Sequence, residues 1–381
     1  MSQPQVPASF PHAPLVLLAL AAGLLSPLAA RAQEQAAAAS TVTAYGFLKA
    51  DVERVSVSGA GLPAASLSRL SNNLSVLGFR ARENLGGGWA VWAQIETNVR
   101  VDTGDGPWGG RNTAVGLQGP AGSLVLGQWE TPLRFVSVYA IDPFTAGIFA
   151  SNGIMGNGFT TAANGQSPAS FDRRQPNLIQ YWSPELGGVS LRLAYAAPEE
   201  KSASSDPDLF SGLLVYKQGP LYAAWGYELH RDYFGAGSRD SAHRLGLAYS
   251  WGGTRLRGSW ERLSYEPAPG QSLRRAAWQL ALSQALGEGQ ELRLSLVRAQ
   301  AARGTARAGL GGIGAPGGDT AASQVSLGYG YRLSKRSEVW AAYTRIRNGA
   351  AASYNLSANS YPGLKPGQDP AGLGLGITHS F

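Results

Sequence analysis

The sequence predicts an all-β fold, a 16-stranded antiparallel transmembrane β-barrel with short turns at one end and long loops at the other. Three observations carry this expectation. Apolar and polar residues alternate with a period of two along segment after segment, as they do where successive side chains face opposite sides of a strand. The connections between these segments are short and long in turn. No run of eighteen apolar residues follows the amino-terminal region, which excludes helical spans.

The opening hairpin shows the pattern most clearly. From Leu74 the chain reads Leu-Ser-Val-Leu-Gly-Phe-Arg-Ala-Arg-Glu, turns through Asn84-Leu85-Gly86-Gly87-Gly88 and resumes at Trp89. Leu77, Phe79 and Ala81 share one face, opposite Gly78, Arg80 and Arg82. Trp89, Val91, Ala93 and Ile95 alternate with Ala90, Trp92, Gln94 and Glu96. The glycines supply the positive φ of a tight turn.

Before this hairpin, Thr41 to Val55 forms the first strand, with Lys49, Asp51 and Glu53 on its polar side. After it, Asn112 to Leu117 and Leu124 to Gln128 flank a turn, as do Leu178 to Trp182 and Val189 to Ala196. Leu213 to Gln218 pairs with Leu221 to Leu229, and His243 to Tyr249 with Arg255 to Leu263. Leu273 to Ala285 pairs with Glu291 to Ala299, and Gln324 to Leu333 with Glu338 to Arg347. Gly372 to Phe381 closes a set of sixteen. Seven turns take two to six residues, and eight other connections are longer. Outer-membrane barrels sort their loops in this way, with short periplasmic turns and long extracellular loops. An apolar face with no second apolar layer needs lipid to cover it, and closure pairs every backbone group. Trp89, Tyr195, Tyr249, Trp260 and Tyr331 sit near strand ends, where amphipathic rings favour the headgroup level.

Composition agrees. Only 15% of residues are charged, against roughly 25% in soluble domains, and no composition shift marks a linker. The chain is one domain, 33–381, behind a signal peptide at 1–32. The apolar run Leu15 to Leu25 is too short to span a bilayer, and Ala30-Arg31-Ala32 is an A-x-A cleavage site. The region Met1 to Pro14 is unusual for a signal in lacking Lys and Arg. Loss of Arg31 leaves 31 basic against 25 acidic residues, or +6. These arginines are scattered, with no basic run, so nucleic acid is not the expected partner. With no Cys and three remaining His far apart in sequence, no metal site and no cofactor are expected. The glycine-rich stretch Gly309 to Gly318 lacks the Gly-Lys-Ser/Thr of a phosphate loop and reads as an outer loop. No catalytic residue is expected. Enzymatic barrels exist, and here His230, near Asp232 and Asp240 in sequence, is the one conceivable centre.

Several motifs resemble the trimeric general porins of Gram-negative outer membranes, most closely their betaproteobacterial branch. They are Thr41-Val-Thr-Ala-Tyr-Gly, Leu77-Gly-Phe-Arg-Ala-Arg-Glu-Asn-Leu-Gly-Gly-Gly, Arg111-Asn-Thr-Ala-Val-Gly-Leu and Asp142-Pro-Phe. Arg174-Gln-Pro-Asn-Leu-Ile-Gln-Tyr-Trp-Ser-Pro, Tyr331-Arg-Leu-Ser-Lys-Arg-Ser and the closing Gly376-Ile-Thr-His-Ser-Phe complete the set, in the family's order from Thr41 to Phe381. The resemblance implies a homotrimer, passive diffusion of small hydrophilic solutes, and a third long connection, Trp129 to Asn177, folded into the lumen as a constriction. It also implies contact with outer-membrane lipid and lipopolysaccharide, and recognition of the terminal Phe381 by the barrel-assembly machinery. The chain departs from the family at Gly127-Gln128-Trp129, where Gly-Arg-Gln is usual, at Thr378, where a basic residue is common, and at Asn84, usually Asp.

Parity along the strands assigns the pore lining. Arg80, Arg82, Arg192, Arg244, Arg255, Arg257 and Arg293 are expected to face inward with Lys49, and Asp51, Glu53 and Glu96 are their counter-charges. Asp142 is expected to anchor the inserted loop by accepting backbone N–H bonds, and Arg174 to lie on that loop. A wall of guanidiniums lowers the entry barrier for anions, so a weak anion preference is expected; the alternative is that the arginines pair with carboxylates and merely solvate the wall.

Overall fold

The computed structural model describes residues 41–381, except 107, 139, 145–146, 159–168, 198, 200 and 203–204. The proposed signal peptide lies outside these residues. Strand segments in chain order are β1 (Thr41–Gly59), β2 (Ala65–Asn72), β3 (Val76–Gly86), β4 (Trp89–Asn98), β5 (Thr113–Gly119), β6 (Gly122–Glu130) and β7 (Arg174–Trp182). They continue as β8 (Val189–Ala196), β9 (Asp208–Gln218), β10 (Leu221–Arg231), β11 (Arg239–Trp251), β12 (Thr254–Tyr265) and β13 (Leu273–Gly287). The last are β14 (Gln290–Ala299), β15 (Arg303–Gly304), β16 (Ala322–Arg332), β17 (Ser337–Asn348) and β18 (Gln368–Ser380). Segments β2 and β3 are one barrel strand broken at 73–75, since both pair with β1. Segment β15 is a two-residue annex of β13. Sixteen antiparallel barrel strands remain, closed by β1 against β18 from Phe47↔Ser380 to Gly59↔Gln368.

Several extents differ from the expectation, β7 starting at Arg174 and β18 at Gln368 among them. The first connection is short, because β1 runs on to Gly59 and the chain returns as β2. Ser66 and Ser68 face outward there, so the apolar signature of a lipid-facing strand is missing although the ladder continues. β11 likewise begins at Arg239, before its apolar stretch, and β9 begins at Asp208, where Ser211 and Gly212 interrupt the apolar run. Strands that overhang the lipid band keep their backbone pairing and lose their greasy face.

The barrel is inside-out relative to a soluble protein. Val52, Leu247, Leu280 and Leu375 are each more than half exposed on its outer surface. Glu53, Gln180, Arg244 and Gln279, by contrast, are buried within. Aromatic rings line the outside, with Tyr249, Trp251 and Tyr331 near the short turns and Trp225, Trp260 and Trp278 nearer the long loops. At the carboxyl end Phe381 exchanges backbone hydrogen bonds with Gly46 at 3.1 and 3.2 Å, so the last residue seals the seam while its ring stays exposed.

The apolar core is also unusual in place. It forms where the segment between β6 and β7 lies against the inner wall, joining Phe144, Ile148, Phe149 and Ile154 to Leu263, Leu273, Trp340 and Ile346.

Candidate functional site

The lumen is shaped by the described residues of this inserted segment, 131–138, 140–144, 147–158 and 169–173. It enters through a 3-10 turn, Pro132–Arg134, and a single helical turn, Phe135–Val138. Inward glycines make room for it. A methyl group at Gly246 would stand 2.8 Å from Val136, one at Gly226 2.9 Å from Leu133, and one at Gly328 2.7 Å from Phe144. A side chain at those three wall positions would push the segment inward.

Polar contacts then fix it. Asp142 accepts the backbone N–H of Phe144 at 2.9 Å and of Ser151 at 2.6 Å, the anchoring expected of an Asp-Pro turn. Burial pushes its carboxyl above the usual range, with the bonds from Ser151 and Phe144 and the charge of Arg257 pulling the other way. Ser326 donates to the Phe149 carbonyl at 2.8 Å and Gln324 to that of Ala150 at 3.1 Å. Farther along, Glu261 on β12 accepts the Gly156 N–H at 3.0 Å and two guanidiniums, Arg244 and Arg275, at 2.6 Å each. Arg244 also holds Asp172 at 2.8 Å, and Arg275 donates to the Ile154 carbonyl at 2.7 Å. All four charged groups are fully buried.

Several of the residues assigned to the pore lining are therefore structural. Arg244 faces inward but lies sealed under the inserted segment, a correction to its expected place in the open lumen. Arg174 belongs to β7, not to the loop, and binds Glu130 at 2.7 Å and Asn112 at 3.2 Å. Glu53 is buried against Arg69, and Asp51 takes a hydrogen bond from Asn73. Glu96 binds Arg111 at 2.6 Å. For Arg244, Glu53, Asp51 and Glu96 the inward face follows from parity; what parity misses is the second layer that covers these positions. Glu261 was legible by the same parity that gives Arg255 and Arg257. Arg275 was legible too, since Trp278, Leu280 and Leu282 set the even positions of its strand outward.

Other inward arginines have neutral partners. Arg80 donates to Gln94 at 2.6 Å and lies over the Tyr45 ring, and Arg82 donates to Gln118 at 2.7 Å. Arg255 reaches the Ala140 carbonyl at 3.3 Å, and Arg257 reaches Ser283 at 2.7 Å. Arg192 stacks over Phe135 and Trp182, beside a cluster of three inward tryptophans, Trp92, Trp129 and Trp182. Trp129 thus fills the departure from the family motif as part of an aromatic wall.

A cavity of about 420 Å³ remains between Asp142–Phe144 and the opposite wall, with Lys49, Arg257, Arg293, Glu291 and Glu338 around it. Arg293 bridges Glu291 at 2.7 Å and Glu338 at 2.5 Å, cancelling much of the charge there. His230 bonds to Glu228 at 2.9 Å and lies between Phe171 and Tyr233, so its partner is not Asp232 or Asp240. No group of three metal-binding side chains occurs among the described residues.

A profile of the Gram-negative porin family matches residues 18–351. Outer membrane porin protein 32 of Delftia acidovorans is 28% identical over 364 residues, 91% of this chain and 95% of that protein. Major outer membrane protein P.IB of Neisseria meningitidis serogroup B is 28% identical over 203 residues, 51% of this chain and 56% of that one. Among solved structures, the anion-selective porin from Comamonas acidovorans superimposes with a TM-score of 0.76 at 26% identity, covering 90% of this chain and 100% of that one. The trimer form of OmpT from Vibrio cholerae, at 15% identity and a TM-score of 0.64, shares the fold. By its closed sixteen-stranded barrel, its partly filled lumen and these matches, the chain belongs to the Gram-negative porin family, outer-membrane channels for passive passage of small hydrophilic solutes and ions.

Proposed function

We propose that this channel is weakly anion-selective. One observation carries the proposal: Arg80, Arg82, Arg255 and Arg257 have no carboxylate within ion-pair distance among the described residues. The acids that share the lumen with them are engaged, Glu96 with Arg111 and Glu291 and Glu338 with Arg293. A charge held beside a low-dielectric wall biases the local ion concentration toward its opposite. The preference is weak because Asp142, Glu291 and Glu338 stand within the same constriction as Arg257. The name of the anion-selective relative supports the same sign. In a planar bilayer under a KCl gradient, the zero-current potential should have the sign of chloride preference. A potassium preference would refute the proposal.

We further propose that residues 1–32 are removed as a signal peptide and that the mature chains form a homotrimer embedded in outer-membrane lipid and lipopolysaccharide. The trimer form described for OmpT supports the assembly. Phe381, exposed at the barrel seam, is the proposed contact for the barrel-assembly machinery. Native mass spectrometry of the protein extracted from membranes should give three chains, each beginning at Gln33. A monomer, or a chain retaining 1–32, would contradict this.

A further inference from the structure

The inner wall differs from one side of the lumen to the other. On β14 and β17, Glu291 and Glu338 stand beside Arg293, so acid and base meet there. From β7 to β12, the inward positions on the short-turn side of Phe135 carry no carboxylate among the described residues. They carry rings and cations instead. Trp182 ends β7, Arg192 lies near the start of β8, and Tyr222 and Arg255 near the starts of β10 and β12.

These groups form one strip. Trp92 stacks on Trp182 with ring centres 5.8 Å apart, and Trp129 packs against both. Gly116 makes room for the stack, since a methyl group there would run into the Trp92 ring. The Arg192 guanidinium lies 5.0 Å from the Trp182 ring centre and 4.2 Å from that of Phe135. Phe135 packs in turn with Tyr222 around Val136 and Leu213. The Tyr222 hydroxyl is within electrostatic reach of both Arg192 and Arg255, and Lys217 is its cross-strand partner. Trp92 and Trp129 are buried at the back, whereas Trp182, Phe135, Tyr222 and both arginines keep part of their surface open.

Stacking uses the faces of a guanidinium, and its N–H donors lie in the plane, directed along the rings rather than into them. A carboxylate arriving in that plane is held in a bidentate manner, and a ring attached to it comes to rest beside Phe135 and Tyr222. Arg255 brings a second guanidinium, which donates to the Ala140 carbonyl at 3.3 Å. A sugar would need an open ring face, whereas Trp182 is stacked on Trp92 and overlain by Arg192.

We propose that this strip is a binding site for aromatic monocarboxylates in transit, with the carboxylate on Arg192 and Arg255 and the ring against Phe135 and Tyr222. The proposal rests on the weak anion preference of the lumen and names a solute class that this preference serves.

Single-channel recording of the purified protein in a planar bilayer, with each solute added to both sides, tests it. Benzoate should interrupt the current transiently. Its dissociation constant should be at least about fivefold below those of cyclohexanecarboxylate, which lacks the π face, and benzyl alcohol, which lacks the charge. Glucose should not block. The variants Y222L and R255Q should each bind benzoate at least about fivefold more weakly. Equal block by cyclohexanecarboxylate or benzyl alcohol, tighter block by glucose, or benzoate affinity retained in both variants would overturn the proposal. The wild-type arms decide the matter even if neither variant folds. The zero-current potential in KCl contains no aromatic solute and reports on the anion preference separately. A chloride preference without discrimination for benzoate overturns this inference and leaves that reading standing.

Discussion

Replacing Glu261 with alanine should free the inserted segment from the wall and leave a barrel that unfolds at markedly lower temperature. Among the described residues Glu261 is the carboxylate that pairs with Arg275, it shares Arg244 with Asp172, and it also receives the Gly156 N–H. Removing it strands one guanidinium in a dry interior and half-strands another. Breaking a buried pair in this way costs about 3–5 kcal/mol. The same change releases the segment near Ile154–Gly156, so conductance should rise and become noisier. Thermal melting in detergent and single-channel recording check both consequences. An unchanged melting temperature with unchanged conductance would mean that the network does not hold the segment.

The second large effect concerns charge. Arg80 and Arg257 each stand in the lumen with neutral partners at hydrogen-bond distance. Reversing both, as R80E/R257E, changes the local charge by four units. At roughly 5 Å in water one unit charge is worth about 0.8 kcal/mol, about a fourfold bias per unit before screening by salt. The anion-to-cation permeability ratio should therefore fall below one, while the conservative pair R80K/R257K should keep the wild-type sign. Zero-current potentials under a salt gradient measure this directly. A double reversal that leaves the ratio unchanged would show that these arginines do not set the field in the conducting path.

The two cases differ in how far the sequence could reach. Alternation along β12 puts Arg255, Arg257 and Glu261 on one face, and that much follows from a period of two. It cannot say that Arg257 lines a cavity while Glu261, four residues on, is roofed over by Gly156. The same limit applies to Arg244, read as lining the pore and found beneath the inserted segment. Glu53 was likewise given the correct face but not its covered surroundings, and Arg174, read as a loop residue, opens β7. The tryptophan cluster of Trp92, Trp129 and Trp182 was invisible, because its members come from β4, β6 and β7 and meet only when the wall curves.

What the sequence determined by itself is the kind of surface each residue serves. Strict alternation, loops sorted by length and the absence of long apolar runs specify a closed barrel wrapped in lipid, since only that arrangement pairs every backbone group at a greasy outer face. The tertiary structure decided which inward charges remain in contact with water. That depends on where the described residues of the inserted segment lie, a placement governed by inward glycines such as Gly246 and Gly328 and by buried ion pairs between residues as far as 72 positions apart, Asp172 and Arg244. Pairings at such separation leave no periodic trace, because they are set by the curvature of the whole wall rather than by any local repeat.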